Sequence, residues 1–269
     1  GGPGVPFSEP MTGFAPLTSD YRFHYYAQRG CGESTRPIES FDSPNTYENM
    51  QQLDQSLGLS AQLADIERIR QILGEEKLIV VGHSWGGLLA TLYATEFPEN
   101  VERLILVAPA NMLVLPQPEA DSDLFASVCA NLSESKQDEF DAFLAEYMDF
   151  GSIFEKSEED LVALNEKFGE YYAEAVDGDL PQQGRSGGWM VWAQYISLGQ
   201  RYDFRPLLAQ VDVPVLVIHG ADDLQSEAAS RIYADAFPDA EFVVIQGASH
   251  FPFEQQPTEF AEIVAGFLK

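Results

Sequence analysis

The chain has 269 residues, enough for one large α/β domain or a core domain with one sizeable insertion. Its 43 acidic residues outweigh 15 basic ones, and the net charge of −28 argues strongly against nucleic acid or an anionic membrane as partner. Apolar content is an ordinary 45%, no apolar run reaches the length of a membrane span, and the chain reads as soluble. Two cysteines, Cys31 and Cys129, are too few for a disulfide scaffold and lack metal-ligand spacing, so they read as buried or idle thiols. Neither a metal nor an organic cofactor is implied. The cytoplasm is favoured. Secretion or a periplasmic location stays open, because the chain starts abruptly at Gly1-Gly2-Pro3-Gly4 and a signal could precede it.

In chain order, Gly1 to Gly4 breaks helix and strand alike. Tyr21 to Ala27 is aromatic-rich and predicts a strand, followed by the glycine-punctuated loop Gln28 to Ser34. Ser60 to Leu73 predicts an amphipathic helix with Leu63, Ile66, Ile69 and Leu73 on one face, Ser60 as cap and Gly74 as its end. Leu78 to Val81 predicts a strand buried on both faces, and Gly87 to Ala94 has the propensity of a helix. Further strands are expected at Arg103 to Pro109, Val213 to Ile218 and Phe242 to Ile245, and a closing helix at Thr258 to Leu268. This alternation means a mostly parallel sheet covered by helices on both faces.

The stretch from about Asn111 to Phe204 breaks that rhythm. It is helix-rich, and between Pro118 and Leu180 it holds 18 acidic residues against three basic ones. It reads as a helical cap (111–204) inserted into a core made of 1–110 and 205–269. A solvated surface explains most of its acidity.

Between the Leu78 strand and the helix after it lies Gly82-His83-Ser84-Trp85-Gly86, a G-x-S-x-G pentapeptide. Its first and last glycines allow a tight turn and close packing of strand on helix, with Ser84 at the tip and its backbone at a helix N-terminus. A serine hydroxyl becomes a nucleophile only with an adjacent base, itself oriented by an acid. Of the four histidines, His24 falls in the first predicted strand, His83 is inside the pentapeptide and His219 is at a strand end. His250 alone sits in a loop after a late strand, and it is the candidate base. The acid is expected at a strand end between the two, where Asp223 is preferred and Asp222 held in reserve. The order Ser84, Asp223, His250 is that of the α/β-hydrolase fold.

The sequence resembles the proline iminopeptidase branch of that fold. The resemblance rests on GGPG at Gly1 (the family's H-G-G-P-G without its histidine), QRGCGES at Gln28, GHSWGG at Gly82, HGADD at His219 and GASHFPFEQQP at Gly247. It implies an oxyanion hole formed by the backbone N–H groups of Gly2 and Trp85. The chain departs from the family's D-Q-R-G at Ala27 and lacks a proline after the acid loop. Leu224 stands where some relatives carry a glutamate. No motif marks the amine-binding glutamates of the cap, so Glu146, Glu155, Glu170 and Glu174 are candidates only by their acidity and aromatic neighbours.

The expected activity is acyl transfer by a serine hydrolase, with the N-terminal residue of a short peptide, proline preferred, as substrate. A carboxylesterase or amidase for small acyl substrates is the alternative. A non-catalytic binding protein of the same fold is a third reading, against which an intact Ser84, Asp223 and His250 argue. The oligomeric state stays open. Five core strands can be placed where this fold usually has eight, so three strands, and a histidine next to Gly1, are expected upstream of Gly1.

Overall fold

The computed structural model describes residues 1–117, 123–176 and 180–269. Helix α1 (Thr46–Leu57) starts at Asn45, whose side chain accepts the Tyr47 N–H. Helix α2 (Leu59–Leu73) ends at Gly74 in the left-handed region, as expected. Its start departs from expectation. Gly58 is the N-cap, Ser60 lies inside the first turn, and the Leu59 N–H donates instead to Ser197 Oγ at 3.1 Å. A side chain distant in sequence thus supplies the cap.

Strand β1 (Leu78–His83) leads into α3 (Trp85–Glu96), which is apolar nearly all round and buried nearly all round. Strand β2 (Val101–Val107) follows. The short strand β3 (Val114–Leu115) opens the helical segment, which contains α4 (Leu124–Asn131), α5 (Glu134–Tyr147), α6 (Glu158–Val176) and α7 (Trp189–Leu198). Strand β4 (Tyr202–Asp203) closes it by pairing antiparallel with β3, Val114 opposite Asp203 and Leu115 opposite Tyr202. Both ends of the segment are therefore tied at one place. Four of the acidic residues counted there, Glu119, Asp121, Asp177 and Asp179, lie outside the described residues.

The chain then runs through α8 (Arg205–Leu208), β5 (Val215–Gly220), α9 (Glu227–Ala236), β6 (Ala240–Ile245), α10 (Pro252–Gln255) and α11 (Pro257–Phe267). The main sheet is parallel, in the order β1-β2-β5-β6. Alternation along the strands loads both faces. Ile105, Val107, Leu216 and Ile218 pack on one side with Leu53, Phe253 and Phe260. Leu104, Leu106, Val215 and Val217 pack on the other with Ile66, Tyr93 and Tyr233. Burial on both faces explains why these strands read as unbroken apolar runs.

The strand expected at Tyr21 to Ala27 is not formed. No strand among the described residues pairs with it, and a strand is defined by its ladder partner rather than by its side chains. Side chains hold the segment instead. Phe23 packs on Phe14 at 5.0 Å and the Tyr21 hydroxyl donates to Leu268 O at 3.3 Å, while His24 is exposed.

A largely buried ion pair fastens the helical segment to the rest of the chain. Arg36 Nη1 meets Glu158 Oε1 at 2.5 Å, and Glu158 Oε2 also accepts the Trp189 N–H at 2.8 Å, at the N-terminus of α7. Glu158→Ala would leave a largely buried guanidinium with two carbonyl acceptors but no counter-charge, and the Trp189 amide without its acceptor. It should lower unfolding free energy by about 2 kcal/mol in urea titrations. Glu159→Ala removes only the exposed partner of Arg185 and should change it by less than about 1 kcal/mol.

Candidate active site

Ser84, Asp223 and His250 come from different sequence regions, but each follows the carboxyl end of a parallel strand, β1, β5 or β6. This is where open α/β sheets bind ligands. The turn that carries Ser84 is sharp, with φ 53° and ψ −122° at the serine itself, a conformation costing about 1–3 kcal/mol for a non-glycine residue. The surrounding backbone holds it there. Ser84 N–H donates to Val107 O at 3.0 Å, and Ser84 O accepts from Gly87 at 2.8 Å and Ala110 at 2.9 Å.

Two glycines make the turn possible, but they are not the pair that the pentapeptide suggests. A Cβ on Gly82 would fall 2.2 Å from Gly86 O, and one on Gly87 would fall 2.8 Å from Pro109 Cβ. At Gly86 the nearest atom is 3.9 Å away, so close packing does not require glycine there.

His250 Nδ1 lies 2.7 Å from Asp223 Oδ2, a contact whose side chains are 8% and 0% exposed. A carboxylate only accepts, so the imidazole proton sits on Nδ1 and Nε2 keeps its lone pair in the neutral ring. The other carboxylate oxygen, Oδ1, accepts the Gln225 N–H at 3.0 Å. Asp222 plays no such part: its side chain is exposed while its N–H donates to Ala248 O at 2.9 Å. Ser84 and His250 both line one cavity of about 530 Å³. No direct hydrogen bond joins Ser84 Oγ to His250 among the described residues; such bonds often tighten only when substrate arrives.

The other histidines have separate roles. His83 is buried, donates its Nε2–H to His250 O at 2.8 Å, and stacks edge-on against the His250 ring at 4.7 Å. Burial first, and the nearby His250 second, hold its pKa well below the usual histidine value. It therefore stays neutral and supports the His250 loop. His219 Nδ1 is bonded to Ser230 Oγ at 3.0 Å, which ties the end of β5 to α9.

Gly2 lines the cavity beside Ser84, and Trp85 is the first residue of α3, where the N–H has no intrahelical acceptor. Of the four cap glutamates singled out by sequence, only Glu170 lines the cavity, paired with Lys167 at 2.7 Å. Glu146, Glu155 and Glu174 are exposed and lie outside it. Their aromatic neighbours misled, because consecutive helical residues point in different directions: Tyr147 is buried and Glu146 is not.

Glu166, which sequence reasoning missed, lines the cavity one turn before Glu170 on α6. An i, i+4 pattern of glutamates was the available signal. Tyr172 was also missed as a site residue. Its ring lies 5.9 Å from that of His250, its buried hydroxyl has no hydrogen-bond partner, and burial and the Asp223 charge raise its pKa well above normal. Gln225 was missed as well. Its side chain accepts the Asn111 N–H at 3.1 Å and donates to Pro109 O at 2.8 Å, locking the acid loop to the loop after β2. Among the described residues, no group of His, Cys, Asp and Glu side chains could hold a metal ion, and no helix is long and apolar enough to cross a membrane.

The chain belongs to the alpha/beta hydrolase fold family, whose model matches residues 1–257. Among individual proteins, it is 24% identical to a proline iminopeptidase of Lactobacillus delbrueckii subsp. lactis, over 90% of this chain and 79% of that one. It superposes on an alpha/beta fold family hydrolase from Bacillus anthracis with a TM-score of 0.62 at 21% identity, covering 99% of this chain and 89% of the other. A thermophilic esterase from Thermogutta terrifontis superposes with a TM-score of 0.60 at 21% identity, over 98% and 85%. The shared property of these proteins is the fold.

The neutral state of His83 has a consequence for stability. A histidine whose pKa is depressed on folding takes up a proton in the unfolded chain first. Its contribution is complete above about pH 6.5 and is lost as pH falls below that value. Between pH 7.5 and 5.5 the wild type should therefore lose more stability than His83→Gln, as followed by urea unfolding at each pH. Equal losses would show that His83 is not the group concerned.

Proposed function

We propose that the protein is a serine hydrolase acting by acyl transfer. The observation that carries this reading is the buried 2.7 Å contact between His250 Nδ1 and Asp223 Oδ2, which leaves Nε2 as the basic nitrogen in a cavity shared with Ser84. His250 takes the Ser84 proton as Ser84 Oγ attacks a carbonyl, then passes it to the leaving group. Water releases the acyl group by the reverse sequence. The N–H groups of Gly2 and Trp85 hold the oxyanion, each worth about 2.7–4 kcal/mol of transition-state stabilisation. Residues 111–204 act as the cap over this chemistry.

For substrate we favour a short peptide with a free N-terminus, proline preferred. Glu166 and Glu170 support this, since both carboxylates border the cavity and could receive an ammonium group. The similarity to proline iminopeptidases supports it independently. A second reading, a carboxylesterase or amidase for neutral acyl groups, draws on the wall of Phe7, Phe125, Phe168 and Phe251.

Ser84→Ala and His250→Ala should each remove nearly all turnover without unfolding the protein, and their effects should not add. Asp223→Asn should lower kcat by orders of magnitude, whereas Asp222→Asn should change it little; the reverse ranking would move the acid to Asp222. Rates on proline p-nitroanilide and its N-acetylated form separate the substrate classes. Acetylation should abolish cleavage if an amine is recognised, and Glu166→Gln should raise KM for the free form only. Equal rates on both forms would favour the neutral-acyl reading.

A further inference from the structure

A chain of buried amides runs behind the two proposed oxyanion donors. Trp85 Nε1 donates to Gln194 Oε1 at 2.6 Å, and Gln194 Nε2 donates to Gln28 Oε1 at 3.1 Å. Gln28 Nε2 in turn reaches Gly1 O at 3.5 Å, at the outer limit for such a bond. Trp85 and Gln194 are 1% and 0% exposed, and Gln28 is 9% exposed.

The direction of this chain is set by chemistry rather than by assignment. An indole N–H can only donate, so Gln194 must turn its oxygen to Trp85 and its nitrogen to Gln28. Gln28 must then present its oxygen to Gln194 and its nitrogen to the Gly1 carbonyl. Both glutamines have their amide orientation fixed by one tryptophan.

Three separate parts of the chain meet here. Trp85 directly follows the proposed nucleophile, Gln28 opens the QRGCGES loop, and Gln194 belongs to α7 of the helical segment. We propose that Gln194 is a positioning residue for the oxyanion hole, holding the Trp85 side chain, and through Gln28 the Gly1–Gly2 loop, at a fixed separation. This rests on the reading of Gly2 and Trp85 as oxyanion donors. Side-chain anchoring matters because a donor displaced by a fraction of an ångström no longer points at the developing charge. Packing of α7 is thereby coupled to chemistry at Ser84, although Gln194 does not line the cavity.

The test compares wild type with Gln194→Leu, Gln194→Glu and Trp85→Phe. Gln194→Glu keeps an acceptor for the indole but loses the donor to Gln28. Trp85→Phe removes the indole N–H together with part of the buried ring, and keeps the backbone donor. With Gln194→Leu, kcat should fall between about tenfold and a hundredfold with KM within about twofold. The Ki of pyrrolidine-2-boronic acid, a free-amine boronate analogue of proline that mimics the tetrahedral oxyanion, should rise by the same factor. Trp85→Phe should act in the same direction, and the double variant with Gln194→Leu should be no worse than the poorer single. Gln194→Glu should fall between wild type and Gln194→Leu. Unchanged kcat, or equal losses in kcat and in ground-state binding, would overturn the proposal.

A readout independent of turnover separates this from failure of the catalytic reading. The Trp85 indole N–H should be strongly protected from hydrogen exchange in wild type and lose that protection in Gln194→Leu. If wild type hydrolyses neither proline p-nitroanilide nor p-nitrophenyl acetate, the catalytic reading fails and the positioning role fails with it. An indole equally protected in Gln194→Leu contradicts the hydrogen-bonded relay itself, whatever the activity.

Discussion

The site depends on the register of two parallel strands. Strands β5 and β6 pair with His219 opposite Val244 and Gly220 opposite Ile245, which ends both strands at the same level. The chain then crosses closely: Ala221 N–H donates to Ile245 O and Asp222 N–H to Ala248 O, both at 2.9 Å. Asp223 and His250 are delivered to one buried point as a result. A slip of one residue would turn every side chain of a strand to the opposite face and separate the pair. The apolar contents of both faces resist that slip, since Leu216 and Ile218 are completed by one layer of helices and Val215 and Val217 by the other.

The third member, Ser84, follows β1, which is joined to β5 through the intervening strand β2. The loop after β2 is bonded on both sides. Ala110 N–H holds the Ser84 carbonyl, the Tyr233 hydroxyl holds the Ala110 carbonyl at 2.6 Å, and Gln225 holds Pro109 and Asn111. Strain at Ser84 is maintained by this network rather than by the pentapeptide alone. Opposing charges play a smaller part. Most acidic side chains of the helical segment face solvent, and only Glu166 and Glu170 border the cavity among the described ones.

Much of this was legible in the sequence, for a physical reason. The four apolar runs at Leu78, Arg103, Val213 and Phe242 are the four strands of the sheet, with ends shifted by about two residues. The central β2 and β5 are buried on both faces, whereas Leu78 to Val81, expected to be so, are half-buried because β1 is an outer strand of this sheet. Turn chemistry marked Ser84, and position after late strands marked Asp223 and His250, which the structure brings together. Tyr21 to Ala27 misled because its aromatic pattern carries no information about whether a ladder partner lies beside it. Three of the four cap glutamates, Glu146, Glu155 and Glu174, misled because composition does not say which face of a helix a carboxylate occupies. Gln194 and Gln225 were invisible for another reason: a buried amide has no periodicity or motif, and its role exists only in its partners.

The central claim is that Ser84 is a nucleophile activated by the Asp223–His250 pair. It is tested most directly by reaction with a fluorophosphonate followed by peptide mass spectrometry. One phosphonyl group per chain on the peptide containing Ser84, with labelling lost in a folded His250→Ala variant, is the expected result. A native wild-type protein that takes up no label, or takes it up on another residue, would contradict the claim.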